Sequence, residues 1–244
     1  MRNPGRETVF HFKRFDVRNH RSAMKVGTDG VLLGAWCASG DHTSPRRILD
    51  VGCGTGLIAL MVAQRFPEAE ITGIDISREA VEEATLNFRD SPWADRLNAV
   101  EADFNIYDPS EGRFDLIVSN PPFFDNGALA PDRNRSLARH DESLTLKTLI
   151  ARAAEFLSAA GILSLILPAD REDTLKFEAA LSRFSIKRLV RVSTTPARAP
   201  KRILAELVLS PAVTAFTETL ALKDGKGIPT REYAALVEDF YLRY

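Results

Sequence analysis

The stretch RILDVGCGTG, residues 47–56, decides the fold. Arg47 to Val51 is a short apolar run of the kind that forms a buried strand. Glycines follow at alternate positions, 52, 54 and 56, and a helical apolar pattern begins at Leu57 and stops before Pro67. Because glycine lets a backbone turn sharply and approach a ligand, the stretch predicts a strand, a binding loop and a helix.

The same alternation of short β-branched runs and amphipathic stretches continues along the chain. The predicted strands are Arg47–Val51, Glu70–Asp75, Leu97–Ala102, Phe114–Ser119, Ile162–Leu167, Ile186–Val192 and Ile203–Leu209. The predicted helices are Leu57–Phe66, Arg78–Phe88, Leu144–Leu157, Asp173–Phe184 and a closing helix over Thr230–Tyr244. Only a Pro- and Arg-rich connector joins the last two strands, so they must pair antiparallel. We predict an α/β fold with a seven-stranded, mostly parallel sheet, one antiparallel strand and helices on both faces.

Length and composition set the organisation of the chain. Its 244 residues, 45% of them hydrophobic, suit one large α/β unit, which we place at residues 46–244, after an N-terminal cap and substrate segment over 1–45. No stretch approaches the roughly 18 apolar residues of a membrane helix. The N-terminus also lacks the apolar core of a signal peptide. We therefore expect a cytoplasmic protein without membrane contact.

Cysteine and charge patterns narrow the classes of function. The two cysteines, Cys37 and Cys53, have no spacing typical of a disulfide framework or a zinc site, and we expect no metal. Net charge is −1, yet residues 1–47 carry nine Lys/Arg against four Asp/Glu, and residues 183–205 carry seven Lys/Arg and no acid. Two basic segments could form one surface for a polyanion, or could equally be solvated charge.

Acidic residues at the ends of two strands suggest the ligand of the glycine loop. Asp75 ends the second strand, where a carboxylate accepts ribose hydroxyls and repels a phosphate. Asp103 follows the third strand beside Phe104, a pair suited to the amino group and flat face of an adenine. Asp50 is placed to meet an ammonium group or to hold the loop. Helix caps and turns remain the alternative for Asp75 and Asp103.

The glycine spacing indicates the class of ligand. It is GxGxG, whereas the dinucleotide fingerprint would put its third glycine where Leu57 stands. The glycine loop is accompanied by acids and by no evident cation that would bind a phosphate. This favours S-adenosylmethionine over a nucleotide phosphate.

The quartet Asn120-Pro121-Pro122-Phe123 directly follows the strand Phe114–Ser119. The Asn120 amide oxygen and the Pro121 carbonyl can accept hydrogen bonds from the two N–H groups of a planar amine, which draws the nitrogen lone pair out of conjugation. Phe123 can stack on a base, an interaction worth about 1 to 3 kcal/mol. The alternative is a rigid turn with a core phenylalanine. The quartet predicts a catalytic clamp formed by all four residues.

From Arg46 to Leu209 the chain resembles the class I S-adenosylmethionine-dependent methyltransferases. The resemblance implies a Rossmann-like sheet, ribose binding by Asp75, adenine contact by Asp103 and a methionine moiety beside the glycine loop. In that family, (Asp/Asn/Ser)-Pro-Pro-(Tyr/Phe/Trp) after strand four marks enzymes that methylate planar amino nitrogens. These include guanine N2, cytosine N4 and protein glutamine, so the quartet alone leaves the acceptor open.

Further segments resemble the bacterial tRNA(Val) adenine-N6 methyltransferases. These segments are the run from Met24 to Trp36, Lys201-Arg202, and the closing Glu238 to Leu242. The resemblance implies methylation of the adenine N6 next to the anticodon of a valine tRNA. It also implies that residues 25–29 close over the methionine end of the cofactor, although a plain N-terminal cap would explain them too. The alternatives are a ribosomal RNA guanine-N2 methyltransferase, a protein glutamine methyltransferase and a non-catalytic nucleotide-binding module.

Two sets of site residues follow from these patterns. The predicted cofactor-binding residues are Lys25, Gly27, Thr28, Asp29, Asp50, Gly52, Gly54, Gly56, Asp75, Ile76, Asp103, Phe104 and Asn120. The predicted tRNA contacts are Arg18, Arg21, Arg133, Arg135, Arg139, Lys201 and Arg202, with His20, His140 and Arg198 as further phosphate candidates. Any one of these cations could instead be a solvated charge. We expect a monomer whose loop 125–141 orders on substrate binding.

Overall fold

An eight-stranded sheet organises the computed structural model, which describes residues 9–20, 25–39, 44–109, 112–122, 144–210 and 215–242. The strands are β1 (Val9–His11), β2 (Asp16–Arg18), β3 (Arg47–Val51), β4 (Glu70–Asp75), β5 (Leu97–Glu101), β6 (Phe114–Ser119), β7 (Leu157–Pro168), β8 (Ser185–Ser193), β9 (Arg202–Val208) and β10 (Phe216–Ala221). The helices are α1 (Thr28–Trp36), α2 (Leu57–Arg65), α3 (Arg78–Arg89), α4 (Leu146–Phe156), α5 (Glu172–Leu181) and α6 (Arg231–Val237). Short 3-10 turns cover Ala94–Arg96 and Ala169–Arg171.

The strand order of the large sheet is β10-β8-β9-β7-β6-β3-β4-β5. Strand β9 runs antiparallel to both of its neighbours, and all other pairs are parallel. The predicted α/β class, the mostly parallel sheet and the single antiparallel strand are thus confirmed. The sheet has one strand more than predicted, because β10 adds in parallel to the outer side of β8.

Strand β7 begins earlier than the apolar pattern predicts. The pattern places the start at Ile162, but the strand starts at Leu157, which pairs with Phe114 across an irregularity in the register. Residues 159 and 160 are exposed alanines, so no apolar alternation marks this part of the strand. The pairing of buried Leu157 with Phe114, and not an apolar alternation, therefore marks the start of β7.

Helices cover both faces of the sheet, as predicted. One buried cluster joins side chains of α1, α2, α3 and α6 to one face, and a second joins α4 and α5 to the other. Helix α1 lies close to α2 because two glycines four residues apart face it. A Cβ atom on Gly30 would lie 3.1 Å from Leu57 Cδ2, and one on Gly34 only 2.8 Å from Met61 Sδ.

The two ends of the described chain pack together. Strands β1 and β2 form a small antiparallel sheet that the sequence patterns do not predict. Phe12 forms an isolated bridge with Tyr241, and their rings stack with centroids 5.9 Å apart. The closing helix packs back as expected through Val237 and Phe240, but it ends at Val237 rather than continuing to the terminus.

Further expectations concern the chain as a whole. No described helix is long and apolar enough to cross a membrane. Cys37 and Cys53 are buried free thiols, and burial is the main cause that raises the pKa of Cys37 to about 11. The division into a cap over 1–45 and a domain over 46–244 stays a prediction, as do the cytoplasmic location and the monomeric state.

Candidate active site at the carboxyl edge of the sheet

Strand register places the glycine loop beside the predicted amine clamp. Val51 and Ser119 are paired residues at the ends of the parallel strands β3 and β6, so the next residues, Gly52 and Asn120, leave the sheet side by side. The Ser119 hydroxyl donates to the Val51 carbonyl at 2.8 Å and fixes this junction. The chain turns from β3 towards β4 on one side and later adds β6 on the other. Such a switch point is where open α/β sheets bind ligands.

The glycine loop has a backbone that only glycine adopts at low cost. Gly52, Gly54 and Gly56 have φ angles of 72°, 55° and 78°. Gly56 also has no room for a side chain, since a Cβ would lie 2.3 Å from Phe88 Cε1. At Gly52, by contrast, no described atom lies within 4 Å of the Cβ position. The outer part of the loop therefore leaves space for a ligand, whereas its end is packed against α3.

Asp75 joins the end of β4 to this loop. One carboxylate oxygen accepts the Gly54 N–H at 2.9 Å, and the other accepts the Ser77 N–H, also at 2.9 Å. Each oxygen has a second lone pair, and the side chain is half-buried, so it can still accept hydroxyl groups. The carboxylate fixes the loop and remains open to a ligand.

The next strand end brings Asp103 to the same edge, but the ring of Phe104 turns inward. Asp103 accepts the Asn105 backbone N–H and side-chain N–H, both at 2.8 Å. Phe104 is 4% exposed and packs edge-on against Phe156, so its ring offers no open face to an adenine. Ile76 and Ile106, by contrast, are exposed apolar side chains that follow β4 and β5, with 64% and 81% of their surface accessible. Cofactor contacts by Asp103, Phe104 and Ile76 stay predictions, and stacking by the Phe104 ring would require it to leave the core.

Asp50 is fully buried beneath the loop. Its Oδ2 accepts the Ala59 N–H at 3.1 Å, and no group in the described part of the chain donates to Oδ1. Burial raises the pKa of Asp50 to about 7; the bond from Ala59 opposes the rise, and the charge of Asp75 adds to it. Of the two roles predicted for Asp50, holding the loop is the one that its contact with α2 supports.

A cavity of about 350 Å³ lies between the glycine loop and Asn120. Its walls come from the segment before α1, the first turn of α1, the glycine loop, the start of α2 and the clamp. The lining residues are Lys25, Gly27, Thr28, Asp29, Gly30, Gly52, Cys53, Gly54, Thr55, Leu57, Ile58 and Asn120. Six predicted cofactor residues of the N-terminal run and the loop thus share one space with Asn120. Asp50, Gly56, Asp75, Ile76, Asp103 and Phe104 lie outside its wall.

The clamp residues differ in exposure. Asn120 is 9% exposed and faces the cavity, Pro121 is buried and Pro122 is exposed. Phe123 lies outside the described residues. Asn120 stands between the end of β6 and the proline pair, so its amide is held at the strand end by a rigid segment.

Some of the predicted RNA-binding cations form ion pairs within the protein, and others are exposed to solvent. Arg18 pairs with Asp90 at 2.6 Å, and Arg202 pairs with Asp29 at 2.8 Å. In the basic segment 183–205, which contains Arg202, Arg191 donates twice to Glu172, and Arg188 lies over the Trp36 ring. Lys201, Arg198 and His20 are exposed. Arg21, Arg133, Arg135, Arg139 and His140 lie outside the described residues.

The sequence patterns do not predict several of the residues that line the cavity. Gly30, Cys53, Thr55, Leu57 and Ile58 line the cavity although the sequence does not predict that they bind the cofactor. Thr55 lies inside the GxGxG loop, so the motif itself carries a signal for it. Gly30 becomes a lining residue only because α1 packs on α2, which no local pattern predicts. No cluster of three or more metal-ligating side chains occurs in the described part of the chain, and the absence of a metal stays a prediction.

Comparisons with known proteins first define the class. The chain matches the model of the methyltransferase small domain over residues 37–187. The crystal structure of a predicted O-methyltransferase from Agrobacterium tumefaciens has a TM-score of 0.69 at 21% identity, covering 87% of this chain and 96% of that one. The glycopeptide N-methyltransferase MtfA complexed with S-adenosylmethionine has a TM-score of 0.56 at 15% identity, covering 78% and 91%. The fold is that of the methyltransferases.

Relatives of known name then define the family. A tRNA1(Val) (adenine(37)-N6)-methyltransferase of Porphyromonas gingivalis is 49% identical over 96% of this chain and 94% of that protein. Proteins of the same name are 41% identical in Bacteroides thetaiotaomicron, over 99% of both chains, and 42% identical in Vibrio parahaemolyticus, over 96% of this chain and 95% of that one. The chain therefore belongs to the family of tRNA1(Val) (adenine(37)-N6)-methyltransferases.

Proposed function

We propose that this chain transfers a methyl group from S-adenosylmethionine to the exocyclic N6 of the adenine next to the anticodon of valine tRNA. The observation that carries the proposal is the position of Asn120, which follows β6 and faces the same cavity as the glycine loop. An amine clamp has a use only where an electrophile lies beside it. The names of the full-length relatives support adenine N6 in tRNA over guanine N2 or a protein glutamine.

The residues present fit the cofactor. The open position of Gly52 lets the backbone approach a ligand, and Asp75 keeps lone pairs for ribose hydroxyls. Lys25 and Asp29 supply an ammonium and a carboxylate in the cavity wall, which complement the two charges of an amino-acid group. When bound, S-adenosylmethionine supplies a methyl group on a positively charged sulfur.

The chain's own contribution to the reaction is to position and polarise the amine. The Asn120 side-chain oxygen and the Pro121 carbonyl each accept a hydrogen bond from one amine N–H, so the nitrogen becomes more tetrahedral and its lone pair is drawn out of conjugation with the ring. Positioning two reactants in this way supplies a large part of the rate enhancement of such transfers. Phe123 is proposed to stack on the base after it leaves the RNA stack.

The exposed basic residues are proposed to bind the RNA backbone. Lys201 and Arg198 lie in the exposed connector between β8 and β9, whereas Arg18 and Arg202 are already engaged in ion pairs. If Lys201 and Arg198 contact phosphates, the affinity for tRNA should fall as the salt concentration rises, because each contact releases counterions. Arg21, Arg133, Arg135 and Arg139 remain proposed contacts on sequence grounds.

The test is methyl transfer to total tRNA from a strain that lacks the gene, followed by nucleoside analysis. We expect labelled N6-methyladenosine, located in valine tRNA after purification of single tRNA species. Labelled N2-methylguanosine, or label in ribosomal RNA instead of tRNA, would replace the proposed acceptor with the guanine alternative. Cofactor binding without any transfer to RNA would favour the non-catalytic module.

A further inference from the structure

Two polar side chains on α3 are almost completely buried. Glu83 is 2% exposed and Asn87 is 1% exposed. They are four residues apart, so they lie on the same face of the helix. Buried polar groups are nearly always hydrogen-bonded, and their partners show what such a residue holds in place. Here the partners include the main chain of residues 18–20, which begin at the last residue of β2.

Asn87 connects this segment to the glycine loop. Its side-chain oxygen accepts the Arg18 N–H at 2.8 Å, and its amide nitrogen donates to the Arg18 carbonyl at 3.1 Å. The same nitrogen donates to the Thr55 carbonyl at 2.8 Å. Glu83 Oε1 accepts the His20 N–H at 2.6 Å. One face of α3 thus holds residues 18–20 against the loop.

Residues 18–20 in turn hold the cavity wall. Lys25 Nζ donates to the Asn19 carbonyl at 3.1 Å and to the His20 carbonyl at 2.9 Å. The Val26 N–H donates to Asn19 Oδ1 at 3.2 Å. Lys25 lines the cavity, with Gly27 and Thr28 following it. Hydrogen bonds therefore run without a break from the buried face of α3 to the open side of the cofactor cavity.

We propose that Glu83 and Asn87 are positioning residues for cofactor binding: by fixing the main chain of residues 18–20, they hold Lys25 and the residues after it at the cavity. The inference rests on the proposed cofactor site but not on the identity of the methyl acceptor. An apolar pair would fill the same volume without desolvating polar groups. A hydrogen-bonding pair in addition fixes the main chain of residues 18–20. The cofactor cavity requires this because a short segment forms part of its wall.

The primary experiment is calorimetric titration of the full chain with S-adenosylmethionine in the absence of RNA. Asn87→Ala removes hydrogen bonds that order both the loop and residues 18–20, and we expect it to raise the cofactor Kd about tenfold. The matched control is Thr85→Val, which removes an exposed side-chain bond to the Val81 carbonyl on the same helix. The control should keep the wild-type Kd. Equal Kd values for Asn87→Ala and the control would overturn the inference.

A double-variant cycle separates positioning from a general loss of stability. If Asn87 acts by placing Lys25, then Lys25→Ala should weaken binding in the wild type and change little further in the Asn87→Ala background. A purely structural role predicts that the two effects on cofactor affinity multiply. If the effects of the two substitutions on the binding free energy add fully, which is the same as multiplying in Kd, the proposal is contradicted.

Glu83 gives an independent comparison that needs no change at Asn87. Glu83→Gln keeps an oxygen that accepts the His20 N–H, whereas Glu83→Leu removes it. We expect the glutamine variant to bind cofactor more tightly than the leucine variant, and equal affinities would remove Glu83 from the proposal. If the wild type itself binds no S-adenosylmethionine, the proposed function fails. Tight wild-type binding with unaffected variants leaves that function intact and overturns only this inference.

Discussion

Arg202 and Asp29 form an ion pair, with Nε 2.8 Å from Oδ2, that joins the first residue of β9 to the first turn of α1. Both side chains are about one-third exposed, so the pair contributes at most about 1 kcal/mol to stability. Its effect is on position, because Asp29 lines the cofactor cavity. The arginine that sequence assigns to tRNA thus contacts a predicted cofactor residue.

Replacing Arg202 is expected to affect cofactor binding more than RNA binding. Arg202→Gln removes the partner that orients Asp29, so the Kd for S-adenosylmethionine should rise about threefold to tenfold. Lys201→Gln is the matched control, since Lys201 is adjacent and exposed. The control should weaken tRNA binding and leave the cofactor Kd unchanged. Calorimetry measures the cofactor Kd, and a tRNA binding assay at several salt concentrations measures RNA binding. If Arg202→Gln weakens tRNA binding and leaves the cofactor Kd unchanged, Arg202 is an RNA contact instead.

Asn120→Ala is expected to abolish methyl transfer while it leaves the cofactor Kd within a few-fold of the wild type. The side-chain oxygen acts on the acceptor amine, and losing such a contact typically costs 10²-fold or more in rate. Single-turnover transfer to tRNA and calorimetry measure the two quantities. Transfer at the wild-type rate would show that the clamp mechanism is wrong.

Asp75→Ala should weaken cofactor binding for two reasons. The substitution removes the proposed acceptor for the ribose hydroxyls, and it removes the carboxylate that accepts the Gly54 and Ser77 N–H groups. Asp75→Asn separates these effects, because it keeps an oxygen that can accept one N–H. We expect the alanine variant to raise the Kd at least tenfold and the asparagine variant to raise it less. Calorimetry that shows unchanged binding by Asp75→Ala would exclude the ribose contact.

The loop glycines should respond differently to alanine. At Gly56 the φ angle is 78° and the new Cβ would collide with the buried Phe88 ring, so Gly56→Ala should lower the free energy of unfolding by about 2 to 4 kcal/mol. At Gly52 the φ angle is 72° but the described surroundings are open, so the cost should be about 1 to 2 kcal/mol. Because Gly52 lines the cavity, its variant should lose cofactor affinity in addition. Urea denaturation gives the stabilities, and equal costs at the two sites would contradict the packing at Phe88.

The buried carboxyl of Asp50 should make stability depend on pH. Its folded-state pKa of about 7 lies above the ordinary value of 3.8, so the folded state holds this proton more tightly than the unfolded state. The resulting stabilisation is complete below the unfolded pKa and is lost as pH rises through the folded pKa. Asp50→Asn, which cannot ionise, should therefore gain stability relative to the wild type between about pH 5 and pH 8, by roughly 1 kcal/mol or more. Denaturation curves at both pH values measure the difference, and a gap independent of pH would contradict the raised pKa.

Local sequence was enough to predict most elements of the fold. Strands β3, β4 and β6 have the predicted bounds, because a short apolar run ended by glycine, a capping serine or proline encodes a strand within a few residues. Helix α1 was not predicted, since it is apolar on all sides and has no capping side chain. Strand β10 was also missed; most of its residues are exposed, and it is defined by pairing with β8.

The chemistry of the site was readable from sequence, but its connections were not. The glycine loop, Asp75 and the Asn-Pro-Pro-Phe quartet are defined by residues adjacent in the chain, so their turn geometry and donor or acceptor groups can be inferred directly. The parallel register of β3 and β6 decided that Gly52 and Asn120 lie together. Packing likewise turned Arg202 towards Asp29, 173 residues away, and set Asn87 between Arg18 and Thr55. Such contacts depend on how separate elements fit together, and the tertiary structure decides them because no single segment contains both partners.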